Sequence, residues 1–86
     1  MGDRLRLVSR ARLKHDAVRG IQVLLVPESV IELNTQGAEV VRLCDGTRTL
    51  DEIVGVLAAR YPGADVGADV RAFVARLEAR GFFERV

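Results

Sequence analysis

The chain has 86 residues, with 13 Lys or Arg against 12 Asp or Glu, one Cys and 49% hydrophobic residues. A chain of this length forms one small domain with a modest core, which leaves little room for a catalytic cleft and its supporting shell. The apolar run at residues 23–26 is far shorter than the roughly 20 residues of a membrane-spanning helix, so we expect no membrane partner.

Positive charge is concentrated at the start of the chain. Residues 1–20 hold six basic and two acidic side chains, whereas the remainder holds seven basic and ten acidic ones. A basic N-terminal segment could contact nucleic acid, a membrane or an acidic partner, although such segments are commonly solvated tails. Because the first residues lack a clear hydrophobic period, we predict a flexible arm at residues 1–11 and a single folded domain at residues 12–86.

Three strands are predicted after this arm. Arg12–Asp16 alternates weakly, and the Arg19-Gly20 step is typical of a turn. Ile21–Val26 is β-branched and aliphatic enough for a strand that is apolar on both faces, and Pro27 ends it. Ser29–Leu33 follows at once, which favours an antiparallel meander whose third strand ends at Asn34.

The hydrophobic period then changes from two to 3.6, which predicts three helices. The first helix follows Asn34-Thr35, a pair suited to capping, and ends at Asp45-Gly46. Its apolar stripe is formed by Gly37, Val40, Val41 and Cys44.

The second helix has the clearest start, because Thr49-Leu50-Asp51-Glu52 fits a capping box. Pro62-Gly63 separates it from a third helix, which Gly81 closes. The apolar stripe of the third helix is formed by Val66, Val70, Phe73, Val74 and Leu77. The predicted fold class is α+β: a small winged helix-turn-helix-like domain with a three-stranded antiparallel β-meander followed by a three-helix bundle.

The residues needed for catalysis are missing. A nucleophile needs a base and a group that orients the base, yet His15 is the only imidazole and the only serines are Ser9 and Ser29. Cys44 lies on the apolar stripe of its helix, where a thiol is inert, and one Cys with one distant His does not make a metal site. We therefore expect a protein that is not an enzyme and that binds no metal and no cofactor.

Binding functions remain. A winged helix-turn-helix domain would place its last helix in DNA, but the third helix carries as many acidic as basic side chains, so DNA binding depends on the basic arm alone. The other use of the fold is at its sheet, because the last strand of a meander has one unpaired side that can accept an extended peptide. Alternatively, that edge is covered by the third helix or by the N-terminal segment.

Several segments in order along the chain resemble the PqqD family. They are Leu24-Leu25-Val26-Pro27-Glu28, Leu33-Asn34, Leu43-Cys44-Asp45-Gly46-Thr47-Arg48-Thr49 with Ile53, and Asp69-Val70 before Leu77 and Gly81. The resemblance implies the fold called the RiPP recognition element and a non-catalytic peptide chaperone in the biosynthesis of pyrroloquinoline quinone (PQQ). Its implied partners are the ribosomally made precursor peptide PqqA and the radical S-adenosylmethionine enzyme PqqE, which cross-links a Glu and a Tyr within PqqA.

The resemblance also implies where the peptide binds, as an added strand between the third strand and the third helix. The corresponding backbone ladder is Ser29, Val30, Ile31, Glu32 and Leu33, and the opposite wall is Arg71, Val74, Ala75 and Glu78. Recognition elements of other ribosomal-peptide pathways share the fold, so another cognate peptide is the alternative. An unprotected edge also allows a weak homodimer. The lone Cys44 and the absence of signal-peptide character at the start favour the cytoplasm.

Overall fold

The computed structural model describes residues 3–86, a range that contains six strands and three helices. The strands are β1 (Arg4–Leu7), β2 (Arg12–Asp16), β3 (Ile21–Val26), β4 (Ser29–Leu33), β5 (Asp45–Thr49) and β6 (Phe83–Arg85). The helices are α1 (Thr35–Leu43), α2 (Leu50–Arg60) and α3 (Val66–Ala79). The predicted α+β class is confirmed, with a three-stranded antiparallel sheet and three helices, although β5 lies between α1 and α2 and β6 follows α3.

The predicted meander is the sheet β2-β3-β4, in which each neighbouring pair is antiparallel. Pro27 and Glu28 form the two-residue turn between β3 and β4, and the fixed φ of proline suits the first corner of such a turn. Directly opposite residues share a face of the sheet, so one row contains Leu13, Leu24 and Ile31. These three side chains pack in or against the core.

A second sheet, in the order β5-β1-β6, was not predicted. The structure differs here from the predicted flexible arm at residues 1–11, because β1 pairs with both neighbours and Leu5 is fully buried. Beyond the strand, Val8 N–H donates to the Phe82 carbonyl at 3.0 Å. Burial of Leu5 and Val8 fixes this segment, whose partners lie far away in sequence. Met1 and Gly2, the first residues of the predicted arm, lie outside the described residues.

The helix ends largely follow the predicted capping chemistry. Asn34 Oδ1 accepts the Gly37 N–H at 2.7 Å, and Thr49 and Glu52 form the predicted capping box at the start of α2. Gly81 has φ +82° after α3, and its N–H donates to the Glu78 carbonyl, a Schellman-type ending that favours glycine.

The predicted end of α1 needs a correction. α1 stops at Leu43, with Cys44 as its C-cap, and Asp45 already begins β5. Gly46 has φ +87°, as expected of a left-handed residue, but it lies inside β5, where the pairing with β1 is irregular. The sequence of β5 is too polar to predict a strand, and β5 is a strand because it pairs with β1.

One core joins both sheets and the helices. The fully buried large side chains come from both sheets, all three helices and the loop before β6. They are Leu5, Leu24, Val40, Ile53, Leu57, Val74 and Phe82. The helices pack on one face of the meander, because Leu24, Val26 and Leu33 belong to the connected core. On the opposite face of this sheet, which the structure describes in full, only Val23 is buried, and it lies outside that connected core. α1 and α3 thereby lie beside the end of β4. No helix in residues 3–86 has the length and apolar character to cross a membrane.

Candidate functional site

The free edge of β4 carries unpaired backbone groups. Within residues 3–86, β4 pairs with β3 on one side and with no strand on the other. The two-residue turn makes Val26 and Ser29 a hydrogen-bonded pair, and such pairs alternate along an antiparallel ladder. The N–H and C=O groups of Val30 and Glu32 therefore point away from β3, whereas those of Ile31 are used inside the sheet.

β4 is less protected against pairing than the other edge of the same sheet. β2 is also free on its outer side, but it carries Arg12 and Lys14, and charged side chains, Lys above all, discourage edge pairing. β4 has neither Lys nor Pro, and its single charge, Glu32, lies 3.6 Å from the Arg19 guanidinium. An extended peptide is therefore expected to pair with the free edge of β4 more readily than with that of β2.

A groove between α1 and α3 begins where β4 ends. It has a volume of about 290 Å³ and includes Asn34, the residue that follows β4 and caps α1. Its other lining residues are Gln36, Gly37, Val40, Asp69, Val70, Ala72, Phe73 and Arg76. Gly37 has no side chain, and a Cβ there would lie 3.3 Å from the Phe73 ring. The floor is therefore formed by close contact between the backbone of α1 and a half-buried aromatic ring.

The structure turns the predicted wall residues of α3 away from this groove. Arg71 forms an ion pair with Asp51 of α2 at 2.7 Å, and Glu78 forms one with Arg85 of β6 at 2.7 Å. Val74 is only 1% exposed within the core, and Ala75 is exposed but does not line the groove.

A different set of α3 residues lines the groove instead: Asp69, Ala72, Phe73 and Arg76. In both sets the other three residues follow the first by three, four and seven positions. The two sets are offset from each other by two positions along the chain, which is about 200° around the helix. The spacing alone could not choose between the two faces. The signal that could have done so is Phe73, which lies at the margin of the apolar stripe and is only half-buried.

Charge in the groove is placed along α3. Asp69 lies in the first turn of α3, where a negative side chain is favoured, and Arg76 lies seven residues later, about 10 Å along the helix axis. Both side chains are exposed, with the apolar surface of Ala72 and Phe73 between them. The groove therefore offers an anionic end, an apolar middle and a cationic end.

The side chains with nucleophilic or metal-binding chemistry lie elsewhere. Cys44 is buried, and desolvation raises the pKa of its thiol to about 12, so the thiolate is not available at neutral pH. His15 is exposed on β2, where its Nδ1 lies 2.8 Å from the Gln22 amide nitrogen. Residues 3–86 contain no group of three or more His, Cys, Asp or Glu side chains that could hold a metal ion.

The sequence profile described as coenzyme PQQ synthesis protein D (PqqD) matches residues 22–82, most of the chain. This chain belongs to the PqqD family. A similar protein is the PqqA binding protein of Rhodopseudomonas palustris (strain TIE-1), which is 40% identical over 78 residues, or 88% of this chain and 76% of that protein. The PqqA binding protein of Rhizobium meliloti (strain 1021) is 36% identical over 84 residues, or 95% of this chain and 86% of that protein.

Among solved structures, the chain is similar to the PqqD truncation of Methylobacterium extorquens PqqCD, a functional and stand-alone RiPP recognition element studied by solution NMR. The TM-score is 0.78 at 32% identity, covering 94% of this chain and 88% of that one. The fold is also that of TbiB1 in complex with the TbiA(β) leader peptide, with a TM-score of 0.74 at 22% identity, covering 92% of this chain and 94% of that one.

Proposed function

We propose that this PqqD-family protein is a non-catalytic peptide chaperone that binds PqqA by β-strand addition and presents it to the radical S-adenosylmethionine enzyme PqqE in the cytoplasm. The observation that carries the proposal is the unpaired edge of β4 beside the α1/α3 groove. The PqqA-binding names of the relatives support the choice of peptide. The leader peptide bound to TbiB1 supports the general mode, because that protein shares the fold.

The backbone ladder supplies the first part of the binding energy. Val30 and Glu32 turn two N–H and two C=O groups to the free edge, within the predicted ladder Ser29–Leu33. Four hydrogen bonds contribute roughly 2 to 6 kcal/mol in total. A micromolar complex needs about 8 kcal/mol after the peptide has been ordered, so the ladder alone is too weak.

The groove adds to the binding energy and supplies the selectivity. Burial of one large apolar peptide side chain against Phe73 and Val40 would add roughly 1.5 to 3 kcal/mol. Backbone pairing does not depend on the peptide sequence, so the apolar floor and the charges of Asp69 and Arg76 select the guest. We therefore propose these α3 residues, together with Ala72, as the second wall in place of Arg71, Val74, Ala75 and Glu78.

The chaperone would assist the enzyme through conformational entropy. A disordered peptide loses much of its freedom when it enters an active site, and a preformed strand template meets part of that cost in advance. No side chain of the groove is a candidate to react with the peptide. The polar groups in its lining are the amides of Asn34 and Gln36, one carboxylate and one guanidinium. The chemistry is accordingly assigned to PqqE.

The proposal is tested by titrating the ¹⁵N-labelled protein with synthetic PqqA. Amide shifts should change at Val30, Glu32, Phe73 and Arg76, while a scrambled PqqA sequence at the same concentration leaves them unchanged. Shift changes confined to residues 3–11 would contradict the placement. Stronger binding of a leader peptide from another ribosomal-peptide pathway would support the alternative pathway, and tight, salt-sensitive binding of random duplex DNA would support a winged-helix DNA-binding protein.

A further inference from the structure

The two charged side chains of the α1/α3 groove have no counter-charge in the part of the chain that the structure describes. The sequence of α3 contains two carboxylates and two guanidinium groups. Arg71 and Glu78, on the other side of the helix, are neutralised by ion pairs with α2 and β6. Asp69 and Arg76 line the groove and are exposed, and within residues 3–86 neither forms an ion pair or a side-chain hydrogen bond. The groove therefore presents an anion and a cation to a guest.

These two charges do not neutralise each other. Seven residues complete nearly two turns of a helix, so Asp69 and Arg76 lie on the same side of α3, about 10 Å apart along its axis. An ion pair needs its charged atoms within about 4 Å. Ala72 and Phe73 lie between the two charges and also line the groove. A guest that supplies both counter-charges therefore displaces no internal ion pair.

A bound strand fits this arrangement with one spacing of its side chains. The residues of a strand rise about 3.4 Å each, and every second side chain points to the same side. Side chains four positions apart are therefore separated by about 14 Å, which exceeds the spacing along α3 by a few ångströms that the long Arg76 side chain can span. Side chains two positions apart are separated by about 7 Å and leave none between them on that side to contact Phe73. A spacing of four positions also places an apolar side chain in the middle.

The edge of β4 turns such side chains toward the groove. Ile31 and Leu33 point to the helix side of the sheet, where they belong to the core or pack against it. A peptide strand beside β4 turns every second side chain to that same side. The groove begins at Asn34, directly after β4. The alternate side chains of the peptide are therefore the ones that meet Asp69 and Arg76.

We propose that Asp69 and Arg76 make the groove specific for an extended peptide segment with a basic and an acidic side chain four positions apart and a large apolar side chain midway. The inference rests on the proposed function, whose peptide site it describes further. Each exposed ion pair strengthens binding by up to about fivefold, and a like charge at the same place weakens it. The apolar side chain packs on the floor formed by Phe73 and Val40.

The test compares synthetic peptides that differ only in the two charges. Each peptide is rich in threonine, is capped at both ends and carries Leu in the middle, with a charged residue two positions before it and another two positions after it. The charged pairs are Lys with Glu in either order, Lys with Lys, and Glu with Glu. In NMR titrations of the wild type, the better of the two mixed peptides should bind about fivefold more tightly than either like-charged peptide. Replacement of the central Leu by Ser should weaken binding at least about tenfold.

Two charge reversals should change this preference in opposite directions. Arg76→Glu leaves two anions in the groove and should prefer the Lys/Lys peptide, whereas Asp69→Lys leaves two cations and should prefer the Glu/Glu peptide. Each reversal should weaken PqqA binding by about fivefold. The matched controls are Arg42→Glu, in the last turn of α1, and Asp65→Lys, at the N-cap of α3. Both control residues are exposed and lie outside the groove lining, so both controls should keep the preference for a mixed pair.

Equal affinity of the wild type for mixed and like-charged peptides would overturn the inference. The same preference in Arg76→Glu and Arg42→Glu, with circular dichroism showing the same fold in both, would also overturn it. Binding of PqqA without binding of any of the short peptides would contradict recognition of this pattern. Failure of the wild type to bind PqqA is a separate result: it would overturn the proposed function, while the peptide comparison would still decide the specificity of the groove.

Discussion

Replacement of Glu32 by proline would remove one of the two backbone donors that β4 turns to its free edge. The Glu32 N–H points away from β3, so the substitution leaves the ladder between β3 and β4 intact. The Glu32 side chain is exposed, and its contact with Arg19 at 3.6 Å contributes little. Glu32→Ala is therefore a matched control that loses the carboxylate and keeps the donor.

The expected effect follows from a single hydrogen bond. One lost bond costs roughly 0.5 to 1.5 kcal/mol, which corresponds to PqqA binding that is about two- to twelvefold weaker. The proline ring also projects toward the incoming strand, so the observed loss should lie at the upper end of this range or beyond it.

The assay is calorimetric titration of PqqA into wild type, Glu32→Ala and Glu32→Pro, after circular dichroism has shown the same fold in all three. Glu32→Ala should bind within about twofold of the wild type. Equal affinities of folded Glu32→Pro and Glu32→Ala for PqqA would refute strand addition at this edge.

Further substitutions probe the scaffold and the groove. Leu5→Ala should lower the free energy of unfolding in urea by about 2 to 5 kcal/mol, since Leu5 is fully buried; unchanged stability would show that β1 is not part of the fold. Thr49→Ala should cost about 1 kcal/mol by removing a helix cap. Donation from the Thr49 N–H to the Glu52 carboxylate holds the pKa of Glu52 below its ordinary value. The stabilisation from this contact is therefore complete above the ordinary pKa and is lost as the pH falls through the lowered pKa. Glu52→Gln should abolish this loss of stability in acid, and an unchanged dependence of stability on pH in that variant would contradict the role of Glu52. Gly37→Ala should weaken PqqA binding severalfold by displacing both the Asn34 cap and the aromatic floor of the groove, whereas Gly55→Ala, at an open position, should have no effect.

The parts of the fold that local chemistry determines could be predicted from the sequence. The meander strands follow from β-branched runs and the turn at Pro27, and the starts of α1 and α2 follow from side chains that cap their own helix. The second sheet could not be predicted, because β1 pairs with β5 and β6 some 40 and 80 residues away. Its short polar strands carry no signal without their partners.

One part of the candidate site could likewise be predicted from the local sequence, and the other part could not. The edge strand was found because a meander must end in one, and Ser29–Leu33 lacks protecting residues. The predicted wall residues of α3 and the residues that line the groove have identical spacing and differ only in helical phase, so spacing alone could not choose between them. That phase is fixed by the burial of Val70, Val74 and Leu77 in the core, which leaves Phe73 packed near Gly37.

Amide hydrogen exchange in the complex with PqqA tests strand addition most directly. The N–H groups of Val30 and Glu32 face solvent in the free protein, whereas that of Ile31 is already bonded within the sheet. Saturation with PqqA should slow exchange at Val30 and Glu32 by at least about tenfold, with Ile31 nearly unchanged. Fast exchange at both positions in the saturated complex would contradict the account.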